Sequence, residues 1–284
     1  MGKMFADISM SLDGYVTAPN DDVGRGLGDG GECLHNWIFG GPWTYGGDAQ
    51  FVKSGIDRDV IDEAFGRMGA VIMGRRVFDI AEGWGDEPPF RVPCFVLTHR
   101  GQELQVRGAT TFTFVTEGIG SALSQARAAA AAAGGGAAAG GGAAAGGGAG
   151  QDISIMGGAS AIQQYLRAGV VDELQIHLAP VLLGAGTRLF DGGAVGEQVT
   201  LAQTRVIESR FATHLKFDVV RENDLPAGLS KPAQRALAGA GYRRLAQLTE
   251  VSEAELGKLH GMGPKAIRLL RDCLAADGMS FRAS

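Results

Sequence analysis

Residues 153–180 read ISIMGGASAIQQYLRAGVVDELQIHLAP. Ile153–Met156 is a short apolar run that stops at Gly157-Gly158. The residues from Ser160 to Ala168 carry apolar side chains at helical spacing, and Glu173–Pro180 is a second apolar, alternating run. Strand, glycine turn, helix and strand in that order make a βαβ unit, whose two strands lie parallel because the helix carries the chain back. The same grammar extends outward. Met4–Met10, Ala70–Met73, Cys94–Thr98, Thr110–Val115 and Phe211–Arg221 read as further strands, and Asp57–Met68 and Ser121–Arg127 as helices. The expectation is an α/β domain with a mixed, mostly parallel sheet and flanking helices.

Two segments depart from this pattern. Asn20–Gly47 is glycine-rich with Trp37, Phe39, Trp43 and Tyr45 set into it, a loop whose aromatics need something to pack on. Ala128–Gly150 contains only alanine and glycine and is read as a flexible surface insertion without side chains for a core. The run from Glu222 to Pro226 reads as a boundary, giving one domain over 1–222 and a second over 225–284. The second is expected to be small and all-α, with helices at Pro232–Ala240, Leu245–Leu248, Glu253–Leu259 and Pro264–Ala276.

Composition bounds the function. Hydrophobic residues make up 45% of the 284, enough for a real core, and no run of about 18 apolar residues points to a membrane span. The N-terminus lacks the pattern of a signal peptide. Cys33, Cys94 and Cys273 are far apart with no paired spacing, which argues against a zinc site or a disulfide framework and fits a reducing cytoplasm. The net charge of −5 is uneven: from Leu225 onward nine Lys/Arg face five acids, so the tail is +4 and the body −9. Such asymmetry suggests different partners for the two parts.

In open α/β sheets ligands bind beyond the carboxyl ends of the strands, and three of those ends suit an anion. Gly74 lets a phosphate approach the backbone, with Arg75, Arg76 and Val77 next to it; guanidinium offers paired donors to phosphate. Thr98, His99 and Arg100 place a hydroxyl, an imidazole and a guanidinium past another strand. Met156, Gly157, Gly158, Ala159 and Ser160 open a helix whose free N–H groups and positive dipole end suit a pyrophosphate. Each alone also reads as an ordinary turn, but a turn needs no arginine. The Rossmann fingerprint is absent, since the first strand leads into Ser11-Leu-Asp-Gly14.

The runs SLDGYVTAPND (11–21), VIMGRRVFD (71–79), FVLTHR (95–100), FVTEGI (114–119), GGASAIQQYL (157–166) and HLAPVLLGAGTRLF (177–190) together resemble the dihydrofolate-reductase-like family. The resemblance is greater to the reductase domain of bacterial bifunctional riboflavin deaminase-reductases and their stand-alone relatives, and it covers Met4–Arg221. It implies NADPH as cofactor, hydride transfer to a small heterocyclic or carbonyl substrate such as a phosphoribosylamino-uracil, and a homodimer. By match to the family's motifs Gly74–Val77 would hold phosphate and Thr98–Arg100 would meet the 2′-phosphate. Gly157–Ser160 would cradle the pyrophosphate, and Thr116 to Gly118 would border the adenosine. Two features of relatives are missing: the HxE and PCxxC of a zinc deaminase half, and the Leu-Pro-x-acid pattern of the true folate enzymes.

A reductase must also supply a proton. Asp13, on the loop after the first strand, is the candidate for contact near the nicotinamide, or else a turn aspartate bonding its own backbone. Trp37, with His35, Trp43 and Tyr45, is a candidate substrate lid or simple packing. Glu82 is a proton donor or a solvated helix-end charge. His177 lines the substrate pocket or is a satisfied core or interface histidine. In the tail, LGKLHGMGPK (256–265) resembles a helix-hairpin-helix motif, and Leu229–Phe281 also resembles the C-terminal domain of bacterial RNA polymerase α subunits. The resemblance implies DNA or protein contact through Gly261, Gly263 and Lys265. A second reading of the whole is therefore an NADPH-sensing or DNA-associated regulator.

Overall fold

The structure is a computed structural model that describes residues 2–47, 49–134, 151–191, 199–220, 225–226, 228–276 and 279–282. The chain divides into two compact units, Met1–Val219 and Val220–Ser284.

The first unit is built on a nine-stranded sheet. In chain order its strands are β1 (Met4–Ser11), β3 (Met68–Gly74), β4 (Cys94–Leu97), β5 (Gln105–Arg107), β6 (Thr110–Val115), β7 (Asp152–Ile155), β8 (Glu173–Ala179), β10 (Thr200–Glu208) and β11 (Thr213–Val220). A small ribbon pairs β2 (Tyr15–Thr17) with β9 (Thr187–Arg188). The sheet order is β10-β11-β8-β1-β7-β3-β4-β6-β5. From β8 to β6 all neighbours are parallel. The pairs β11–β8 and β5–β6 are antiparallel. This is an α/β arrangement with a mostly parallel mixed sheet.

Alternation along the strands sorts side chains onto two faces. Met4, Ala6, Ala70, Ile72, Ile153 and Ile155 share a core with helices α4 (Ile119–Gly134) and α5 (Ala159–Arg167). Phe5, Val71, Met73, Val96 and Phe112 pack on the other face with α2 (Ile56–Arg67) and α3 (Arg75–Ile80). Helix α2 starts with Asp57 and Asp59 and ends with Arg67, charges that complement its dipole. A short helix α1 (Asn36–Phe39) presents Trp37 to Val60, Ile61 and Ala212.

One expectation is corrected here. The alanine/glycine segment is not free of structure from Ala128: α4 runs on to Gly134, and Ala130 is buried against the sheet. Alanine is the best helix former, and its methyl is small enough to sit directly on β3. Residues 135–150, the rest of the expected insertion, lie outside the described residues, as do 221–224 of the expected boundary. Strands β2, β5, β9 and β10 were not expected.

The second unit is helical: α6 (Lys231–Gly239), a 3-10 turn at Leu245–Glu250, α7 (Glu253–Leu256) and α8 (Pro264–Ala276). Ser230 caps α6 by accepting from the Ala233 amide, and Ser252 and Glu255 form a reciprocal cap on α7. Leu237, Leu248, Leu256, Leu270 and Leu274 make its own core. Gly261 sits at φ 103°. A Cβ there would come within 2.8 Å of the Pro232 carbonyl oxygen, so internal packing accounts for this glycine. Gly263 has open space around it, and Lys265 is exposed.

Candidate active site

Strands β7, β3, β4 and β6 are neighbours and point the same way, so their carboxyl ends lie side by side. Backbone hydrogen bonds carry the sheet's order into the loops beyond. The Gly74 amide donates to the Gly157 carbonyl at 3.1 Å, Met156 to Ile72 at 2.9 Å, and Thr98 to Val115 at 3.1 Å. Over these ends lies a cleft of about 1110 Å³. Gly74, Arg75, Arg76, Val77, Thr98, His99, Arg100, Thr116, Gly118, Met156, Gly157, Gly158, Ala159 and Ser160 all line it. Sequence reasoning had placed these residues on four separate loops; the sheet brings them to one wall.

Their side chains are not equally free. Arg75 is held by Asp79 at 2.7 Å, one turn along α3, and Arg76 by Asp21 at 3.1 Å from the glycine-rich loop. Arg100 and His99 are exposed and form no ion pair with a described residue. The Thr98 hydroxyl accepts from the Arg100 amide at 3.0 Å and so shapes that turn. Gly157 has φ 69°, a conformation that a side chain would strain, and Gly158 is the N-cap residue of α5.

The other half of the cleft is aromatic. Trp37, Phe39, Trp43, Tyr45 and Phe51 from the glycine-rich region face Phe65 of α2 and Trp84 and Phe90 from the loop after α3. They pack on each other, with Phe39 and Trp43 at 4.5 Å, Trp43 and Tyr45 at 4.8 Å, and Trp84 and Phe90 at 4.7 Å between centroids. The loop is pinned by Trp43 Nε1 donating to the Glu32 carbonyl and by the Leu27 amide donating to the Tyr45 hydroxyl. Burial pushes the Tyr45 phenol up to about 12. His35 also lines the cleft, and burial, reinforced by nearby His177, holds it down to about 4.

On the cleft's β1 side sequence reasoning missed two residues, Asp7 and Ser9. The visible signal was an acid inside an apolar strand. Asp7 Oδ1 lies 2.8 Å from His177 Nε2, His177 Nδ1 lies 2.7 Å from His214 Nδ1, and His214 Nε2 lies 2.9 Å from Asp57 Oδ1. Trp37 covers the pair, 4.1 Å from the His177 ring, and donates through Nε1 to the buried Ser9 hydroxyl. Burial, with His177 beside it, lowers the His214 imidazole against the opposing pull of Asp57.

Two sequence candidates fall outside the cleft. His177 is 1% exposed and stands one layer behind Trp37; β8 turns it toward Asp7 and His214 rather than into the open space. Asp13 is a turn aspartate. Its carboxylate accepts from the Ser11 hydroxyl at 2.6 Å and from the Gly184 and Leu183 amides at 2.7 and 3.1 Å, which hold it down to about 2. It ties the first turn to the loop after β8. Glu82 lines the cleft, and its carbonyl accepts from Arg107. Gly261, Gly263 and Lys265 belong to the other unit. Among the described residues there is no cluster of metal-ligating side chains and no helix long and apolar enough to cross a membrane.

The family model of the RibD C-terminal domain matches residues 144–213. The curated uncharacterized protein YyaP of Bacillus subtilis (strain 168) is 37% identical over 60 residues, a match covering 21% of this chain and 32% of that protein. The crystal structure of a putative riboflavin biosynthesis protein from Shewanella sp. PV-4 superposes with a TM-score of 0.51 at 20% identity, covering 78% of this chain and 100% of that one. Dihydrofolate reductase from Enterococcus faecalis, complexed with NADP(H), aligns over 78% of this chain and 98% of its own at 14% identity, with a TM-score of 0.42.

Proposed function

We propose that the first unit is an NADPH-dependent reductase of a flat, uncharged, largely apolar substrate. The observation that carries this reading is the single cleft with two chemically distinct halves. One half collects glycines, an α-helix start and cationic side chains from four adjacent strand ends, the requirements of a dinucleotide phosphate. The other half is a box of aromatic rings. The volume exceeds the roughly 300–1,000 Å³ of a pocket for one small ligand, so there is space for a second molecule beside the dinucleotide.

When bound, the dinucleotide supplies hydride. Gly74, Gly157 and Gly158 leave its phosphates a close approach to the backbone. Arg100 and His99, unpaired among the described residues, would meet a 2′-phosphate, while Arg75 and Arg76 must exchange Asp79 and Asp21 to take part. The aromatic half would hold the substrate and exclude water. Arg75, Arg76 and Arg100 are the cleft's Lys/Arg residues, and all three sit at strand ends on the dinucleotide side. Among the described residues the aromatic half holds none. That favours an unphosphorylated carbonyl or imine over a phosphoribosyl-bearing heterocycle.

Calorimetric titration of the full chain with NADPH and NADH tests the reading. Micromolar NADPH binding with weaker NADH binding is expected, followed by NADPH consumption with menadione or phenanthrenequinone as flat, uncharged probes. Absence of NADPH binding overturns it.

A further inference from the structure

We propose that His35 is the polar anchor of the aromatic half, a specificity-determining residue whose imidazole hydrogen-bonds a heteroatom on the rim of a flat, uncharged substrate. The role rests on the reading of that half as the substrate side.

The local fold presents this ring to the cleft. Gly30, at φ 73°, opens a 3-10 turn over Gly31–His35. The turn packs against β1, β2, β8 and α1. Leu34 is fully buried and Trp37 is 4% exposed, so the chain is anchored on both sides of His35. The Trp43 indole donates to the carbonyl of Glu32 in the same turn at 2.8 Å. That sets its ring beside the imidazole, 6.4 Å between centroids and 16° from parallel. His35 itself is half-buried and lines the cleft. Neither ring nitrogen has a hydrogen-bond partner among the described residues. Neither is sealed from solvent, unlike the partnerless Asp7 Oδ2, Thr17 Oγ1 and Ser154 Oγ. The imidazole thus offers two unengaged, accessible nitrogens.

The polar groups around it are committed elsewhere. Trp37 donates to Ser9 and Trp43 to the Glu32 carbonyl. The Tyr45 hydroxyl accepts from the Leu27 amide. Trp84, which lines the same cleft, keeps an indole N–H without a partner among the described residues, but an indole can only donate.

Charge narrows the ligand. Burial, with His177 pushing the same way, holds the His35 imidazole down to about 4. Near neutrality the ring therefore carries one N–H, one lone pair and no charge. A neutral ring that both donates and accepts suits the oxygen of a ketone or quinone and the nitrogen of an imine. It offers a carboxylate or a phosphate no countercharge. In an otherwise apolar box, one such bond fixes which edge of a flat ring faces which wall. No proton changes owner in this role.

The test compares two ligands that share one ring frame: menadione, with two carbonyl oxygens, and 2-methylnaphthalene, with none. Equilibrium dialysis against the full chain, with and without NADP⁺, measures both. His35→Phe keeps a flat ring and removes the hydrogen bond. It should weaken menadione about 3- to 10-fold relative to its effect on 2-methylnaphthalene. Equal effects on the two ligands overturn the proposal, as does binding of neither ligand by the wild type. His35→Asn or His35→Gln, each keeping a polar group near one ring-nitrogen position, should recover menadione binding. Recovery in neither makes His35 a matter of shape and overturns the anchor. A menadione-specific loss in Trp84→Phe or Tyr45→Phe but not in His35→Phe gives the anchor to that residue instead, and the proposal falls. Should His35→Phe not fold, the wild type with ¹⁵N-labelled histidine decides. Menadione should then shift a His35 ring nitrogen beyond the shift that 2-methylnaphthalene gives, and equal shifts overturn the anchor. With NADPH, kcat/KM for menadione should fall in His35→Phe by a similar factor while NADPH affinity holds; an unchanged kcat/KM overturns the role. If the wild type does not bind NADPH, the reductase reading falls, and dialysis still judges His35 as a ligand anchor by itself.

Discussion

The Nδ1 atoms of His177 and His214 stand 2.7 Å apart in the interior, so one ring donates and the other accepts there. Two donors cannot share that gap, which keeps the pair short of full protonation. Trp37 roofs the pair and walls the cleft at once. Trp37→Ala should cost roughly 3–5 kcal/mol of stability by emptying a large buried site. Trp37→Phe keeps most of the ring and loses the bond to Ser9, a cost of about 1 kcal/mol. Urea unfolding of both variants measures the difference.

Arg100 lines the cleft with a guanidinium free of ion pairs among the described residues. Arg100→Ala should weaken NADPH by about 1.5–3 kcal/mol, the range for a hydrogen bond to a charged group, and leave NADH nearly untouched. Arg76→Ala should weaken NADPH less, because its guanidinium already has Asp21. Calorimetry with the two dinucleotides reads both. Equal losses on NADPH and NADH would place the 2′-phosphate elsewhere.

Asp13 holds the backbone of Leu183 and Gly184 and does not line the cleft. Asp13→Ala should therefore make the loop after β8 more sensitive to protease and leave NADPH affinity unchanged. A fall in NADPH affinity would restore Asp13 to the site.

Glu173 receives Lys3, Arg67 and Lys216 at 2.6, 2.6 and 3.2 Å. Burial alone would raise this carboxyl; the hydrogen bonds from Arg67 and Lys3 pull it down to about 2 from 4.5. A carboxyl held low in the folded state stabilises above its ordinary value, and that contribution fades as pH falls toward about 2. Its size is on the order of 3 kcal/mol. Denaturant midpoints should drop through this acid window in the wild type, and Glu173→Gln should be weaker near neutrality and flatter in acid.

Gly69 lies under α4. A Cβ there would sit 2.4 Å from the Gln151 Cβ and 3.0 Å from the Ala130 Cβ. Gly69→Ala should destabilise by about 1–3 kcal/mol through overpacking. Gly120, in the first turn of α4, has nothing within 4 Å. Gly120→Ala should change stability in the opposite direction by up to about 1 kcal/mol. Thermal unfolding of the two distinguishes them by sign.

The interior strands were legible because β1, β3, β4, β6, β7 and β8 carry apolar runs bounded by turn residues. The sheet's edges were not. Strand β10 is mostly exposed and β5 is three residues long, so neither needs an apolar face, and only pairing with a neighbour makes them strands. The dinucleotide wall was readable as strand ends, but their convergence was a matter of strand order. Asp7 escaped notice because period-two alternation assigns it a face without saying what else shares that face. His177, Asp57 and His214 are 37 to 170 residues from their partners in the chain, and register alone unites them. The alanine run misled for a different reason: a methyl suffices where a helix lies close on a sheet.

The chain has three tryptophans, Trp37, Trp43 and Trp84, and all three line the same cleft. Its indole emission, excited selectively over tyrosine, therefore originates wholly from one place in the molecule, and the helical unit is dark in that channel. A ligand that enters the aromatic half, or a reduced nicotinamide able to take excitation from an indole, changes the light the protein gives off. The protein thus carries a built-in optical gauge of its own occupancy, and unknown compounds can be screened against it without a label or a turnover assay.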